Sequence, residues 1–413
     1  MKDKNIAIIG TGISGLTCGY YLTQKGAEVT LFESADYIGG HTHTVETDFE
    51  SEQAAIDTGF IVFNDRTYPG FISLMDEIGV GYQPTEMSFS VRNDNLDLEY
   101  NGTNVNGLFA QRSNLFRPRF YRMLRDITRF NKEVRNTSVT DAEMTIGQYL
   151  QRADYSSSFK DNYLLPMIAA IWSMGTEDCL DFPLGFFVRF FDNHGLLDLT
   201  NRPQWYTING GSSSYIEPLT AGFRDRIRLN SPVSGVARTE DAVIVQSEDE
   251  VSRFDEVVFA CHGDQALAIL QQPSEDEQRI LSQFQFSDNR VVLHTDISHL
   301  PRRKGAWASW NYRITDRGAV QSTLTYNMNI LQRLKKKHTY LVTLNQDIDP
   351  HHIIDEFRYS HPVYSVSMID AQMQWQQISG SDRVHYCGAY WHNGFHEDGV
   401  RSALRVCSML EGD

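Results

Sequence analysis

Three glycines near the start of the chain have the spacing of a turn that binds the phosphates of a dinucleotide. Gly10, Gly12 and Gly15 form a G-x-G-x-x-G pattern directly after the apolar run 5–9. In this pattern the first glycine permits a tight turn, the second lets a pyrophosphate approach the backbone, and the third lets a helix pack closely on a strand. The pyrophosphate then lies at the helix N-terminus, where free N–H groups and the helix dipole favour an anion.

An acid placed one strand later supports the same interpretation. Residues 16–25 predict a helix, residues 28–32 predict a second strand, and Glu33 ends that strand. A carboxylate at this distance hydrogen-bonds the adenosine ribose in βαβ dinucleotide folds. We therefore expect a bound dinucleotide. The neighbouring residues expected to contact it are Ile13, Ser14 and Ser34.

The segment after Glu33 indicates which dinucleotide is bound. A domain for NAD alone would normally enter another βαβ unit here, whereas this chain makes a second glycine turn at Gly39-Gly40 and a D-x-G turn at 57–59. The pattern resembles the flavin-containing amine oxidase superfamily, which binds FAD through such segments. The resemblance implies FAD as cofactor, and it implies contacts from Gly39, Gly40, His41, Thr42, Gly59 and Phe60.

The resemblance continues to the end of the chain. Residues 229–233 are similar to the segment whose valine backbone meets the adenine, and residues 257–260 are similar to a late strand of the same domain. Residues 385–389 and 394–400 resemble the closing strand, loop and helix of the family. The cofactor contacts implied by these matches are Val233, Gly388, Gly399 and Val400.

Longer segments resemble one bacterial branch of the superfamily, usually described as NAD/FAD-binding proteins. They are residues 58–64, 170–173, 193–197, 306–312 and 394–399. Members of the branch resemble enzymes that act on methylated or cyclopropane-type fatty acyl chains, including dehydrogenases of furan fatty acid synthesis. The resemblance therefore implies an apolar substrate.

The resemblance also predicts the architecture. We expect an α/β fold in which a Rossmann-like FAD-binding domain carries an inserted α+β substrate domain. The FAD-binding domain is expected to comprise residues 1–85, 205–285 and 380–413, and the substrate domain residues 86–204 and 286–379. Helical periodicity between 116 and 150 and between 156 and 191, and strand-like alternation at 290–295 and 339–344, agree with this division.

Two residues are candidates for catalysis. Many amine oxidases place a lysine near flavin N5 on the strand that enters the second insertion, and the match of residues 291–295 to that strand puts His294 there. A histidine at this point can relay a proton near neutral pH, and it can equally be a structural strand residue. Phe395 is the candidate for an aromatic wall that orients the substrate. His41 and His43 lack further metal ligands, so we expect no metal site.

The stretch 112–135 is basic in an acidic protein. Its arginines and Lys132 outnumber its acids, and apolar residues recur at helical spacing, which is typical of a basic amphipathic helix. One interpretation is a solvated face over an ordinary core stripe. The other is peripheral contact with an anionic membrane through Arg117–Arg135. The basic segments 302–304 and 333–337 would extend such a face if they lay beside it.

Composition sets the outer limits. The 413 residues carry a net charge of −16, which disfavours nucleic acid as a partner. Five scattered cysteines indicate a reducing compartment. Because residues 5–9 already predict a strand, we expect no signal peptide. We expect a cytoplasmic protein, peripheral at the inner membrane face if the basic helix binds lipid. The oligomeric state stays open.

The predicted function is removal of a hydride from an apolar substrate, either a small molecule or a modified fatty acyl chain, by an FAD-dependent dehydrogenase or oxidase. Three alternatives stay open. They are a flavin amine oxidase, a flavin-dependent isomerase, and a non-catalytic flavin-binding partner of a lipid-modifying enzyme.

Overall fold

The computed structural model describes residues 2–136, 144–172, 174–175, 178–198, 202–248, 250–315 and 323–412. The strands of this part of the chain, in order, are β1 Asn5–Ile9, β2 Glu28–Phe32, β3 Thr44–Phe49, β4 Glu52–Asp57, β5 Phe63–Asn64, β6 Tyr82–Thr85, β7 Phe89–Asn93, β8 Leu98–Asn101, β9 Trp205–Ile208, β10 Ile227–Arg228, β11 Val233–Arg238, β12 Val243–Ser247, β13 Glu250–Phe254, β14 Glu256–Phe259, β15 Gln285–His294, β16 Trp310–Ile314, β17 Leu324–Asn327, β18 Leu341–Leu344, β19 Ile353–Val363 and β20 Val384–Tyr386.

The helices of the same residues are α1 Ile13–Gln24, α2 Pro69–Glu77, α3 Val105–Leu108, α4 Pro118–Glu133, α5 Ile146–Arg152, α6 Ser157–Phe159, α7 Leu165–Trp172, α8 Leu184–Asn193, α9 Ile216–Thr220, α10 Gly263–Ile269, α11 Glu275–Leu281, α12 Met328–Leu331, α13 Val366–Gln372 and α14 His396–Gly412. A π-helical turn at Lys160–Leu164 joins α6 to α7. None of these helices has the length and apolar character needed to cross a bilayer.

A five-stranded parallel sheet, in the order β10-β2-β1-β14-β20, forms the first layer. Its central strand β1 pairs with β2 on one side and β14 on the other, and Ala7 lies opposite Thr30 and Val257. Ile6, Ala7 and Ile8 are fully buried. A parallel sheet is covered on both faces, which explains why β1 is a continuous apolar run. Helices α1 and α14 pack against each other on this layer.

A seven-stranded sheet, in the order β19-β15-β18-β17-β16-β7-β8, forms the second layer. Its neighbouring strands are antiparallel except for β16 and β7, which are parallel. Helices α3 to α8 follow β8 in the chain and precede β9. The long strands β15 and β19 run side by side, with Asn289 opposite Tyr359 and His294 opposite Ile353.

Several predicted elements differ from the observed ones in their limits, and two of these differences have a clear cause. The helix expected at 16–25 begins at Ile13, because the glycine turn itself supplies the first helical turn. The strand expected at 290–295 begins at Gln285. Its first half is polar and lacks apolar alternation, and it is extended because β19 pairs with it. Residues 137–143, inside the predicted helical stretch 116–150, and Ser173, in the segment 170–173, lie outside the described residues.

Candidate functional site

The first glycine turn has one open side. Gly10 has a φ of 106°, and a β-carbon at Gly15 would overlap the Gly10 carbonyl oxygen, so the helix and strand meet without side chains between them. A β-carbon at Gly12 would meet no atom of the described chain within 4 Å. Because Gly12 is the N-cap of α1 and has no side chain to cap it, the N–H groups of the first turn are left for a ligand.

Glu33 lies at the end of β2 beside this turn. Its carboxylate accepts hydrogen bonds from the backbone N–H of Thr11 at 3.0 Å, the hydroxyl of Thr11 at 2.6 Å and the backbone N–H of Ala35 at 2.9 Å. The hydroxyl of Ser34 also donates to it at 3.3 Å. The backbone N–H of Ser231 donates to the Glu33 carbonyl at 2.8 Å, which brings the segment leading to Val233 alongside. The expected ribose and adenine residues therefore lie together.

The second and third turns close on the first. A β-carbon at Gly40 would lie 3.2 Å from the Gly12 Cα, and the backbone N–H of Gly39 donates to the Thr11 hydroxyl at 3.3 Å. Gly59 packs directly on the His41 carbonyl, and the backbone N–H of Phe60 donates to that carbonyl at 2.7 Å. The segments 10–15, 39–42 and 57–60 therefore form one continuous surface.

The C-terminal segment completes that surface. A β-carbon at Gly399 would lie 2.6 Å from Cγ2 of Ile13 and 2.9 Å from the hydroxyl of Ser14, so α14 begins against the first turn of α1. The neighbouring Val400 is buried. The backbone N–H of Gly388 donates to the Ser402 hydroxyl at 3.1 Å, which ties the loop after β20 to the same helix.

His396 holds the second turn from the side of α14. Its Nε2 lies 2.9 Å from the hydroxyl of Thr42 and 3.2 Å from the hydroxyl of Tyr215, and those two hydroxyls are also bonded to each other. Its ring stacks on Phe60 with 3.5 Å between centroids and 11° between planes. Burial lowers the pKa of His396 well below its usual value, so the imidazole is neutral.

Three more neutral histidines lie where the loops after β2 and β14 meet strands β15 and β19. The His41 ring lies 5.4 Å from His361 and 5.2 Å from Tyr359 on β19, and His262 stacks on Phe286 at 4.0 Å. Burial lowers the pKa of His41 and of His262 to about 4 and the pKa of His361 to about 3. The buried Nε2 of His41 has no hydrogen-bond partner among the residues that the structure describes.

Asn289 is the buried polar residue of β15 that reaches this group. Its amide oxygen accepts from the Asn345 side chain at 2.7 Å, and its amide nitrogen lies 3.1 Å from Nδ1 of His361. Since an amide nitrogen only donates, Nδ1 of His361 accepts and the ring proton of the neutral His361 is assigned to Nε2.

His294, the predicted proton relay, lies elsewhere. It is five positions beyond Asn289 on β15, or about 17 Å along an extended strand. Its ring nitrogens are engaged by the Thr343 hydroxyl at 2.7 Å and by the backbone N–H of Asp296, which donates to Nδ1 at 3.0 Å. Burial lowers the pKa of His294 to about 3. The structure does not bring His294 to the glycine turns, and its contacts are those of a structural strand residue.

Phe395, the predicted substrate wall, directly precedes α14 and packs against helix α8. Its ring stacks on Phe190 of α8 with centroids 5.1 Å apart and planes 24° apart. Gly394 beside it packs on the Tyr364 hydroxyl, and Tyr364 stacks on Phe186 at 4.8 Å. Phe395 therefore belongs to an aromatic wall. The wall consists of Phe182, Phe186, Phe190, Tyr364 and Phe395.

Several site residues carry no recognisable signal in the sequence. Thr11 occupies a variable position of the glycine turn, although it orients Glu33. Tyr215, Asn289 and His361 are separated from the glycine turn by hundreds of residues and occur in no motif. Only tertiary contacts bring them to the site. In the described part of the chain, no group of three or more His, Cys, Asp or Glu side chains is arranged to hold a metal ion.

The residues present fit the FAD that the resemblance implies. The open N-terminus of α1 suits a pyrophosphate, and Glu33 with the segment before Val233 suits an adenosine. The buried Nε2 of His41 has no hydrogen-bond partner among the described residues, and a bound FAD would be able to supply one.

Comparison with known proteins agrees with FAD as the cofactor. The model of the family "flavin containing amine oxidoreductase" matches residues 13–296. A protein of Mycobacterium tuberculosis assigned as flavin-containing monoamine oxidase AofH is 24% identical over 264 residues, which are 62% of this chain and 56% of that protein. The match thus spans little more than half the length of that relative.

Solved structures show the same fold over almost the whole chain. Cyclohexylamine oxidase from Brevibacterium oxydans superposes with a TM-score of 0.71 at 16% identity, covering 99% of both chains. The fatty acid isomerase from P. acnes that produces CLA superposes with a TM-score of 0.70 at 15% identity, again covering 99% of both. The expected α/β, two-domain fold class is confirmed by these superpositions.

Proposed function

The chain belongs to the flavin-containing amine oxidoreductase family and is an FAD-dependent oxidoreductase, and from that premise we propose that its substrate is a modified fatty acyl chain of the methylated or cyclopropane type. In this proposal the enzyme removes a hydride from the apolar chain. Bound FAD supplies the hydride acceptor. The protein supplies the binding of the chain, its orientation and the exclusion of water.

The stack of Phe395 on Phe190 is the observation that carries the proposal. The segment 394–400 contacts the first turn of α1 through Gly399. The same segment contacts the aromatic wall through Phe395. A ligand held at the glycine turns would therefore have this wall within reach. Aromatic side chains bind an alkyl chain through buried apolar area.

The charge states of the polar groups around His41 also favour an apolar substrate. His41, His262 and His361 are neutral near pH 7, and Asn289 carries no charge at any pH. An ammonium group would lose its hydration there without gaining an ionised partner from these four side chains. An alkyl chain has no such cost. This favours the acyl substrate over the amine oxidase alternative.

The test is anaerobic mixing of the FAD-loaded protein with two sets of substrates. One set consists of detergent-dispersed phospholipids with cyclopropane or methyl-branched acyl chains, and the other consists of primary amines. We expect bleaching of the flavin absorbance by the first set only. Phe395→Ala should raise the acyl concentration needed for half-maximal reduction about tenfold or more, since burial of a large apolar side chain contributes about 1.5–3 kcal/mol.

Each alternative gives a different result. Reduction by amines alone would establish an amine oxidase. A change of double-bond position in the lipid without net flavin reduction would establish an isomerase. If lipid mass spectra of cells with and without the protein differ while the purified protein stays oxidised with every substrate, the flavin-binding-partner alternative stands and the dehydrogenase proposal fails.

A further inference from the structure

A group of apolar side chains is exposed at the start of the helical region after β8. Val105 is 70% exposed, Leu115 43%, Phe116 85% and Tyr121 46%. Phe109, one helical turn after Val105, lies 6.1 Å from the Tyr121 ring, and the Tyr121 hydroxyl donates to the Leu115 carbonyl at 3.1 Å. These contacts join the five residues into one surface, called here the apolar ridge. Exposed apolar side chains gathered in this way mark an interaction site.

Arginines flank the apolar ridge. Arg112, Arg119 and Arg122 are exposed, and no ion pair or hydrogen bond of their side chains is found with any described residue. Arg119 and Arg122 are three residues apart in the first turns of α4, which places them on neighbouring positions of the helix surface. Three guanidinium groups are therefore free to bind anions beside an apolar surface.

Three other arginines of the same stretch are engaged within the protein. Arg117 binds the carbonyl of Asp97 at 2.7 Å, Arg135 binds Asp192 and Asp198 at 2.8 and 2.6 Å, and Arg129 lies over the Tyr155 ring at 4.1 Å. The structure thus divides the expected basic face Arg117–Arg135. Of the described arginines of that face, Arg119 and Arg122, beside the apolar ridge, have no partner.

The two other basic clusters contribute little to this surface. Arg302 binds Asp94 and Asp97, and Arg303 binds Glu99, so that Lys304 alone is left near α3. Lys336 donates to the Gln53 carbonyl of the β3–β4 hairpin. The segment 333–337 therefore packs on a different part of the molecule.

We propose that the apolar ridge, together with Arg112, Arg119 and Arg122, is the surface through which the protein docks on an anionic lipid bilayer. The charge is complementary, because a chain with a net charge of −16 presents three unpaired arginines together here. The combination of a polar basic rim with exposed Phe and Val is that of an interfacial membrane anchor. A second copy of the chain fits less well, since a symmetric contact would bring these arginines together.

This inference goes beyond the proposed function, because docking does not depend on which bond the enzyme oxidises. The test uses the FAD-loaded full chain and sedimentation with vesicles of phosphatidylcholine, with or without phosphatidylglycerol. We expect binding only when phosphatidylglycerol is present. Binding should weaken with added salt, because a Debye length of about 8 Å at physiological ionic strength screens the arginine contacts.

Two variants and a matched control locate the surface. R119E/R122E and, separately, V105S/F116S should each reduce the bound fraction at least tenfold. K335E/K337E changes the net charge by the same amount as R119E/R122E at the other basic cluster, and it should bind as the wild type does. An unchanged FAD-to-protein ratio shows that each variant is folded.

Three results would overturn the proposal. They are equal binding to neutral vesicles, failure of the wild type to bind either kind, and equal loss of binding in R119E/R122E and K335E/K337E. In addition, a polarity-sensitive fluorophore at Phe116→Cys should shift to the blue on anionic vesicles, and an unshifted emission contradicts insertion of the ridge. If docking fails while dispersed acyl substrates still reduce the flavin, only the docking proposal is lost.

Discussion

Gly15 packs directly on the carbonyl oxygen of Gly10, at the point where α1 meets β1. A β-carbon at Gly15 would overlap that oxygen and would also lie 3.2 Å from the side chain of Ala260. A β-carbon at Gly12, three residues earlier, would meet no described atom within 4 Å. Gly15 and Gly12 therefore have separable roles, the first in packing and the second in approach of the ligand.

Gly15→Ala should prevent stable folding, because the backbone of Gly10 cannot move away from an added methyl group without breaking the βα turn. Gly12→Ala should fold as the wild type does and lose FAD affinity, since its methyl group would occupy the space of the pyrophosphate. Thermal unfolding of the apoprotein and titration with FAD separate the two effects. Equal melting temperatures for both variants would contradict the packing role of Gly15.

Glu33→Ala should weaken FAD binding by about 1.5–3 kcal/mol, or roughly 10- to 160-fold, because bonds to a charged acceptor are lost. Glu28→Ala, at the exposed opposite end of β2, is the matched control and should retain FAD. The measurement is the FAD-to-protein ratio after gel filtration, with the nucleotide identified after heat release. Recovery of NAD from the wild type would refute the cofactor assignment.

Asn289→Ala should alter the flavin absorbance spectrum and slow anaerobic flavin reduction by about tenfold or more, because His361 loses the bond that orients its ring. His294→Ala should leave the spectrum and the reduction rate unchanged and lower the free energy of unfolding, since it removes buried bonds to Thr343 and Asp296. Stopped-flow reduction and denaturant unfolding test both. If His294→Ala instead slowed reduction 100-fold, the prediction that His294 relays a proton would be supported.

Asp398 is expected to make the free energy of unfolding fall as pH rises, which is opposite to the usual effect of a carboxyl group. Burial raises its pKa to about 7, although the backbone N–H of Phe395 donates to its carboxylate at 3.0 Å. Between pH 4 and 7 the folded state therefore binds a proton that the unfolded state has released, and this contribution to stability falls as pH rises. Above pH 7 both states are ionised and the loss is complete.

The variant Asp398→Asn isolates this effect from the histidines, whose lowered pKa values act in the opposite direction over the same range. We expect the free energy of unfolding of Asp398→Asn, relative to the wild type, to increase from pH 4 to pH 7 and to level off above. Urea unfolding at saturating FAD measures it. A difference that is constant across this range would show that Asp398 is ionised throughout.

The sequence by itself determined the cofactor and the fold class. The signals for both are local: a strand, a glycine turn, a helix and an acid lie within residues 5–33, and their geometry follows from backbone sterics and from alternation of apolar residues. It also identified most residues around the phosphate turn, because they occur in short motifs. The limits of the two domains and the direct contacts with FAD stay predictions.

Only the tertiary structure decided which residue of β15 reaches the site. Strand pairing sets this, because the register with β19 places Asn289, and not His294, beside Tyr359 and His361. The pattern of apolar residues does not show which position of the strand faces the site. Each position nevertheless shifts a side chain by about 3.3 Å along the strand. Tertiary structure likewise divided the basic stretch, because the acids that neutralise Arg117 and Arg135 come from elsewhere in the chain. Charge spacing along one helix cannot reveal partners brought to it by folding.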